Sequence, residues 1–333
     1  MAFSFDLSFY NSFETLSMGE AFTGISDDVN AIYYNPAGLT NGKGFVFDLP
    51  NVSVNMSYGA GSAALKALTH VDEIKSVLAS TNTTYKVNYF LKNYAQDLIN
   101  TNRAVAKVNG YIGYSARNFA FGISGFSQGY VKSFVSNDLI PFISLHAKAA
   151  AYVEGTGAVA FDISSVKFSL GGTYRYGYVM PDIYSIDDLS VLFVNSSTFE
   201  PDLTYDATSN ADLGVKISKG SFALGGLWHN VMNSSTPDLR IGTGFITHNL
   251  TIGVDFEKLL DNRYSSFRRL HVGIRYVPFD LVRIYGGLSA GWLVGGAELR
   301  LGDLKVYGGT YVINAGFHAG YDYQRMYTVG FGL

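Results

Sequence analysis

The feature that most constrains this chain is a two-residue alternation of apolar and polar side chains, repeated segment after segment from about residue 206 to the end. Leu213, Val215 and Ile217 alternate with Asp212, Gly214 and Lys216. Ile252, Val254 and Phe256 alternate with Thr251, Gly253, Asp255 and Glu257, and Tyr327, Val329, Phe331 and Leu333 with Thr328, Gly330 and Gly332. Successive Cβ atoms of a strand point to opposite faces, so every such segment has one apolar and one polar face. The same reading over the whole chain predicts about fourteen strands, at 45–58, 105–115, 118–130, 142–163, 166–178, 207–218, 221–231, 239–247, 250–259, 269–277, 281–289, 292–301, 304–312 and 326–333.

A soluble β-sandwich would show this alternation too, but its loops would not be sorted by length. Here tight links at 116–117, 164–165, 219–220, 248–249, 278–280 and 302–303 alternate with mostly longer ones at 59–104, 131–141, 179–206, 232–238, 260–268 and 313–325; the link 290–291 is the exception. Short periplasmic turns alternating with longer external loops, around an even number of strands, are the pattern of a transmembrane β-barrel. Most segments approach the roughly 9–11 residues that a tilted membrane-spanning strand needs. The stretch 142–163 keeps one phase for longer and is expected to project beyond the bilayer.

Composition supports this class. Charged residues make up 15% of the 333, against roughly 25% in soluble domains. Mean hydropathy is +0.12, yet no apolar run approaches the roughly 20 residues of a transmembrane helix. Lipid-facing strands reconcile the two, because only every second residue is apolar. Trp228, Trp292, Tyr174, Tyr176 and Tyr178 fall near expected outer strand ends, and Tyr276 and Phe331 near inner ones, as interfacial aromatic girdles would. Cysteine is absent, which excludes disulfides and thiolate metal sites. A net charge of −3 gives no electrostatic case for nucleic acid. No phosphate loop, dinucleotide fingerprint or zinc motif is present, so neither cofactor nor metal is expected. The chain opens Met1-Ala2-Phe3-Ser4-Phe5-Asp6 and reads as a mature sequence with an added start Met.

Two stretches depart from the alternation. Leu65, Leu68, Val71, Ile74 and Leu78 within 62–80, and Val87, Phe90, Leu91, Tyr94 and Leu98 within 85–99, follow helical spacing. They predict a helical hairpin in the external loop 59–104, either packed on the barrel mouth or forming an amphipathic lid for an apolar ligand. Strand three reads Phe119-Ala120-Phe121-Gly122-Ile123-Ser124-Gly125-Phe126; its apolar phase shifts from odd to even positions, which a one-residue bulge at Ser124-Gly125 would explain.

Before the first strand runs Ser17-Met18-Gly19-Glu20-Ala21-Phe22-Thr23-Gly24-Ile25-Ser26-Asp27-Asp28-Val29-Asn30-Ala31-Ile32-Tyr33-Tyr34-Asn35-Pro36-Ala37-Gly38-Leu39. Ser26 can cap a short helix with Asp27 and Asp28 in its first turn, and Pro36 ends it. Small residues allow close packing, and the four Asp/Asn side chains suit a polar lumen better than a dry core. Through Met18-Gly19-Glu20-Ala21, Asp27-Asp28 and Asn35-Pro36-Ala37-Gly38-Leu39, the segment resembles the N-terminal hatch of the FadL family of outer-membrane channels for fatty acids and other hydrophobic compounds, and of PorV-like relatives. The resemblance covers about residues 16–40. It implies a fourteen-stranded bacterial outer-membrane barrel, with 1–42 as hatch and 43–333 as barrel. Asp27, Asp28, Asn35, Pro36, Ala37 and Gly38 would be hatch or gating residues, and the strand-three kink at Ser124 and Gly125 a lateral opening.

The function expected is passive transport of hydrophobic small molecules, long-chain fatty acids being the default ligand and outer-membrane lipids the surroundings. The alternative is a PorV-like scaffold with a protein partner. Lys148, Arg175, Arg275 and Arg300 face inward by phase, as ordinary polar lumen residues or as contacts for a ligand carboxylate. His271, Asp255 and Glu257 share a polar face, a faint hint of acid–base chemistry that solvated lumen residues explain better. Gly287-Leu288-Ser289-Ala290-Gly291 matches a nucleophile-elbow pattern, but a strand rather than a helix follows, so a hairpin is expected and no enzyme.

Overall fold

The computed structural model describes residues 10–94, 97, 100–135, 143–186, 204–232, 238–314 and 323–333. Period-two patterning fixes which face of each strand meets lipid, and pairing closes the sheet. β1 (Gly44–Ser57), β2 (Asn100–Ser115), β3 (Phe119–Val135), β4 (Ile143–Ile163), β5 (Val166–Ile186), β6 (Asp206–Lys219) and β7 (Phe222–His229) follow one another around the wall. β8 (Asp238–Ile246), β9 (Leu250–Phe256), β10 (Leu270–Phe279), β11 (Val282–Ser289), β12 (Trp292–Leu301), β13 (Leu304–Asn314) and β14 (Tyr323–Gly332) complete it. Every neighbour pair is antiparallel, and β14 returns to β1 in the register Asn51↔Gly332 to Ser57↔Met326. Closure gives each strand a partner on both sides, which is what hydrocarbon demands of a backbone that water cannot reach.

The outer face is apolar. Phe121, Val159, Leu170, Val215, Leu224 and Val329 are all exposed. Residues of the opposite phase turn inward and are buried, among them Glu154, Arg175, Asp212, Lys216 and Thr328. Tyr174, Tyr176, Tyr178 and Trp228 lie on the exposed outer face as the girdle reading expects. Trp292 does not: it has the inward phase of Val294 and stacks on Tyr323 with ring centroids 3.8 Å apart. No helix among the described residues is long and apolar enough to cross a membrane; the strands cross it.

Strand three corrects the sequence reading. β3 pairs without interruption with β2 and with β4 from end to end, so there is no bulge at Ser124-Gly125. The apolar phase changes because the lumen changes. Phe119, Phe121 and Ile123 face outward, whereas Phe126 and Tyr130 face inward and are buried. Phe126 packs there on Tyr10, Tyr33 and Tyr152, with centroids 5.7, 6.1 and 5.1 Å away. The register shifts of the described strands lie instead at Asp48/Asn51 in β1, Ala147/Ala149 in β4 and Tyr276/Phe279 in β10. The β1 shift brackets Pro50, which has no N–H to give the ladder.

Residues 10–42 run through the lumen. They form α1 (Phe13–Ser17), α2 (Ala31–Tyr34) and a 3-10 helix (Pro36–Asn41), and nearly all are buried. The expected helix from Ser26 is shorter than its sequence suggests. Ser26 bonds back to Phe22 O at 2.6 Å, and Asp27 and Asp28 occupy the turn before α2. At the opposite rim α3 (Tyr58–Thr69), α4 (Val71–Ala79) and α5 (Thr83–Asn93) fill the β1–β2 connection. The single first helix of the expected hairpin is broken at His70 (φ −122°, ψ 30°). Leu98 lies outside the described residues. A short α6 (Ser266–Arg269) precedes β10.

The segment reaches the wall at inward-facing glycines. A Cβ added at Gly171 would stand 2.5 Å from Ala37 N, and one at Gly225 would press on Thr23 O and lie 2.8 Å from Asn35 Nδ2. Only a bare backbone leaves room for another backbone there. Gly225→Val is therefore expected to push the segment off the wall, at about 1–3 kcal/mol of overpacking. Faster amide exchange across residues 19–41, in a barrel that keeps its heat-modifiable migration on a gel, is the outcome that checks this.

Candidate functional site

The site has two parts, the lumen segment with the wall that grips it and an apolar pocket in the helices at the rim. In the segment, α1 starts because Ser12 Oγ accepts from Thr15 N at 3.3 Å. After Ser17 the chain reverses through Gly19 and Glu20, both left-handed at φ 65° and 66°. That turn presents Phe22 N and Thr23 N to one oxygen of Asp255 on β9, at 2.8 and 2.6 Å. It also presents Gly19 O to Nδ1 of His271 on β10, at 2.6 Å.

Asn35 is the keystone of the next turn. Pro36 disfavours the helical conformation at Asn35, which ends α2 and is extended (φ −170°, ψ 95°). Its Nδ2 donates to Thr23 O at 3.0 Å and to Val215 O on β6 at 2.9 Å, and its Oδ1 accepts from Ala37 N at 3.3 Å. One buried amide thus ties two turns of the segment to the wall. Pro36 and Ala37 lie against Gly171, and Gly38 sits where any Cβ would collide with Ser26. Four of the expected hatch residues, Asn35 to Gly38, form this single turn. Asp27 and Asp28 belong to another contact: Asp27 lies 3.5 Å from Arg275, and Asp28 accepts from Asn30 N at 2.9 Å.

The inward cations serve the chain itself. Arg275 holds Glu14 of α1 at 2.7 Å and Thr251 at 3.0 Å. Arg175, 1% exposed, lies between Glu154 (3.2 Å) and Asp212, and Asp212 also meets His229 at 2.8 Å. Arg300 is 2.5 Å from Glu298. These three were candidate contacts for a ligand carboxylate; the structure gives each a carboxylate of its own, because burial of a charge demands a partner. Lys148 is half-buried on β4, opposite Tyr130 of β3 in the register. Ser124, read as part of a bulge, instead donates to Glu154 at 2.7 Å, and Gly125 keeps its place in the ladder.

Lysines and hydroxyls of the wall cap segment carbonyls in the same way. Lys216 Nζ donates to Ser26 O, Lys167 Nζ to Thr40 O at 2.6 Å, Ser115 Oγ to Leu39 O at 2.6 Å and Thr173 Oγ to Ile32 O at 3.2 Å. Sequence reasoning placed His271, Asp255 and Glu257 together but read them as solvated. They are buried, and His271 and Asp255 bind the segment. Their signal was present as charged residues on an inward phase opposite a segment rich in exposed amides and carbonyls. Ser289 lies at the end of β11, followed by Ala290 and Gly291 at φ 49° and 90°. That is a two-residue hairpin and not a nucleophile elbow.

The second part is a pocket of about 310 Å³ lined by Ala63 and Ala67 of α3, by Ile74, Val77 and Leu78 of α4, and by Lys86, Tyr89 and Phe90 of α5 with Tyr94 just after it. Its volume is at the lower edge of the roughly 300–1,000 Å³ of small-molecule sites, and its lining is apolar and aromatic as theirs is. On another face of α3, Lys66 donates a hydrogen bond to Asp97. That hydrogen bond holds the Asp97 carboxyl below its ordinary pKa. Burial, with Tyr94 and Glu73 nearby, pushes the Tyr89 hydroxyl up to about 12, so it stays a neutral donor.

Compared by sequence, the chain matches no protein-family model and no curated protein. Compared by structure, it is similar to a toluene transporter, TbuX, of Ralstonia pickettii, with a TM-score of 0.57 and 11% identity, covering 99% of each chain. It is similar as well to a deltaS2 mutant of TodX, a monoaromatic hydrocarbon channel, with a TM-score of 0.55 and 10% identity, over 98% of this chain and 99% of that one. The architecture is that of a bacterial outer-membrane barrel, shared from end to end with these channels.

One variant tests the grip on the segment and a second the ion pairs of the wall around it. Asn35→Ala leaves Thr23 O, Val215 O and Ala37 N without their partner, and is expected to cost about 1–3 kcal/mol; exchange of the 19–41 amides should rise while the strands stay protected. Arg175→Ala strands two buried carboxylates and is expected to cost about 3–5 kcal/mol, measured as a lower midpoint of thermal unfolding in detergent.

Proposed function

We propose that this protein carries hydrophobic small molecules passively across the outer membrane, with residues 1–42 as its hatch. The observation that carries the reading is a closed barrel whose lumen is filled by a separate segment, held by side chains and not by strand pairing. A gated pore has a use for such a segment, which closes the lumen until it is displaced. The apolar pocket on the side of the wall where the long connections lie supplies a first resting place for an apolar compound, and the likeness to channels described as monoaromatic hydrocarbon and toluene transporters supports the same class. By resemblance of the Asn35-Pro36-Ala37-Gly38 turn to the FadL-type hatch, long-chain fatty acids are the default ligand, and toluene-sized hydrocarbons stand beside them. No reaction is proposed.

A PorV-like scaffold is the second reading. The density of buried ties between segment and wall favours it, since a scaffold has no need to open.

Cells lacking their own fatty acid channel, expressing this protein, are expected to take up labelled oleate or labelled toluene above background. Ala67→Trp, which fills the apolar pocket, should weaken uptake at low concentration by roughly tenfold, equivalent to about 1.4 kcal/mol of lost binding. Folded protein in the outer membrane that takes up neither compound, and that co-purifies with a fixed partner, would move the assignment to the scaffold.

A further inference from the structure

The apolar exterior of the barrel does not stop where β1 ends. α3 begins directly at Tyr58, with Ser57 as its N-cap residue. At helical spacing Tyr58, Gly61, Leu65 and Leu68 share one face. The three side chains of that face are 76%, 64% and 73% exposed. The other faces of the helix are occupied. Ser62 and Lys66 bind Asp97, and Ala63 and Ala67 line the pocket.

Gly61 shows which way the apolar face looks. Its Cβ direction ends 4.0 Å from Met56 Cβ. Met56 shares the phase of Val54, which is exposed on the outer surface of β1, whereas Ser53, Asn55 and Ser57 are buried on the inner one. The stripe is therefore on the lipid side of the wall. α4 adds Val71, 40% exposed, and Leu78, which is 59% exposed and also borders the pocket. Lys75, one turn from each, is long enough to carry its charge to water while its stem stays on the apolar surface.

We propose that the α3–α4 apolar stripe lies in the outer leaflet of the surrounding membrane, so that its partner is the acyl-chain boundary of the bilayer. The occupant follows from continuity: the stripe extends a surface that already faces lipid. A row of exposed leucines is unfavourable in water, and a helix with one such face settles about 5–10 Å into the headgroup and acyl boundary. Tyr58 suits that depth, with an apolar ring and a polar tip. The same helix forms one wall of the apolar pocket, so if the transport reading holds, ligand reaches the pocket from the lipid phase. The membrane placement itself does not rest on that reading.

The chain has no cysteine, so single labels report cleanly. Leu65→Cys and Leu68→Cys would carry a bimane fluorophore in vesicles of dioleoylphosphatidylcholine. Ile112→Cys on the outer face of β2 serves as the lipid reference, and Asp72→Cys, at a fully exposed side chain, as the water reference. The labels at 65 and 68 are expected to be quenched by brominated acyl chains as strongly as the Ile112 label, and several-fold less than the Asp72 label by iodide. Quenching by iodide like the Asp72 label overturns the proposal, and so does protection from both quenchers, which would mean that protein covers the stripe. Val71→Cys reads the same face should either leucine variant fail to fold.

Discussion

Everything in this structure depends on one constraint: in hydrocarbon, no backbone N–H or C=O can be left without a partner. The pairing of β14 with β1 meets it by closing the sheet, and closure creates a lumen. A lumen of fourteen strands is too wide for wall side chains alone to fill. The chain fills it with its own first residues, and that choice governs the composition of the inner wall. Glycines stand where the segment's backbone must touch, and charged residues stand where its peptide groups need partners.

The inner wall is consequently less a solvated channel lining than a polar core. Arg175 between Glu154 and Asp212, and Arg275 on Glu14, are ion pairs shielded from water. Such pairs contribute little net stability over apolar packing but penalise their own disruption heavily. The first ties three neighbouring strands of the wall together, and the second, with Asp27 beside it, fixes the seating of the segment against that wall. Hydrogen bonds between backbone atoms and Asn35, Asp255 and His271, Asp255 as acceptor, add directionality that apolar contact would lack. A segment held by polar groups can also be released into water at modest cost, because those groups are solvated when it leaves. That is the physical sense in which such a plug suits gating.

Much of the fold was legible in residue order. Strand positions, strand number, the rim at which the tight turns gather and the helical insertion all follow from periodicity and turn chemistry. The failures have definite causes. Periodicity in β3 misled because a lumen filled by Tyr10, Tyr33 and Tyr152 makes an inward Phe126 as favourable as an outward one. Arg175 and Arg275 looked available for a ligand because their partners come from neighbouring strands or the N-terminal segment, far away in sequence, whereas Glu298 lies only two residues from Arg300. The hatch motif was recognisable, but its contacts were not, since Asn35 and Val215 are 180 residues apart in sequence.

The sequence by itself determined that this chain crosses a membrane as strands, because alternation, low charge and sorted loop lengths are local properties of the order of residues. It determined too which side chains face inward in most strands, with Phe126 of β3 and Trp292 of β12 as exceptions. What those side chains do was decided only by closure, which brings β6, β9 and β10 around residues 10–42 and so converts polar lumen residues into buried partners. The direction of the α3 stripe was decided in the same way. Leu65 and Leu68 announce an apolar face at helical spacing, but only the seating of Gly61 over Met56 shows that the face looks toward lipid.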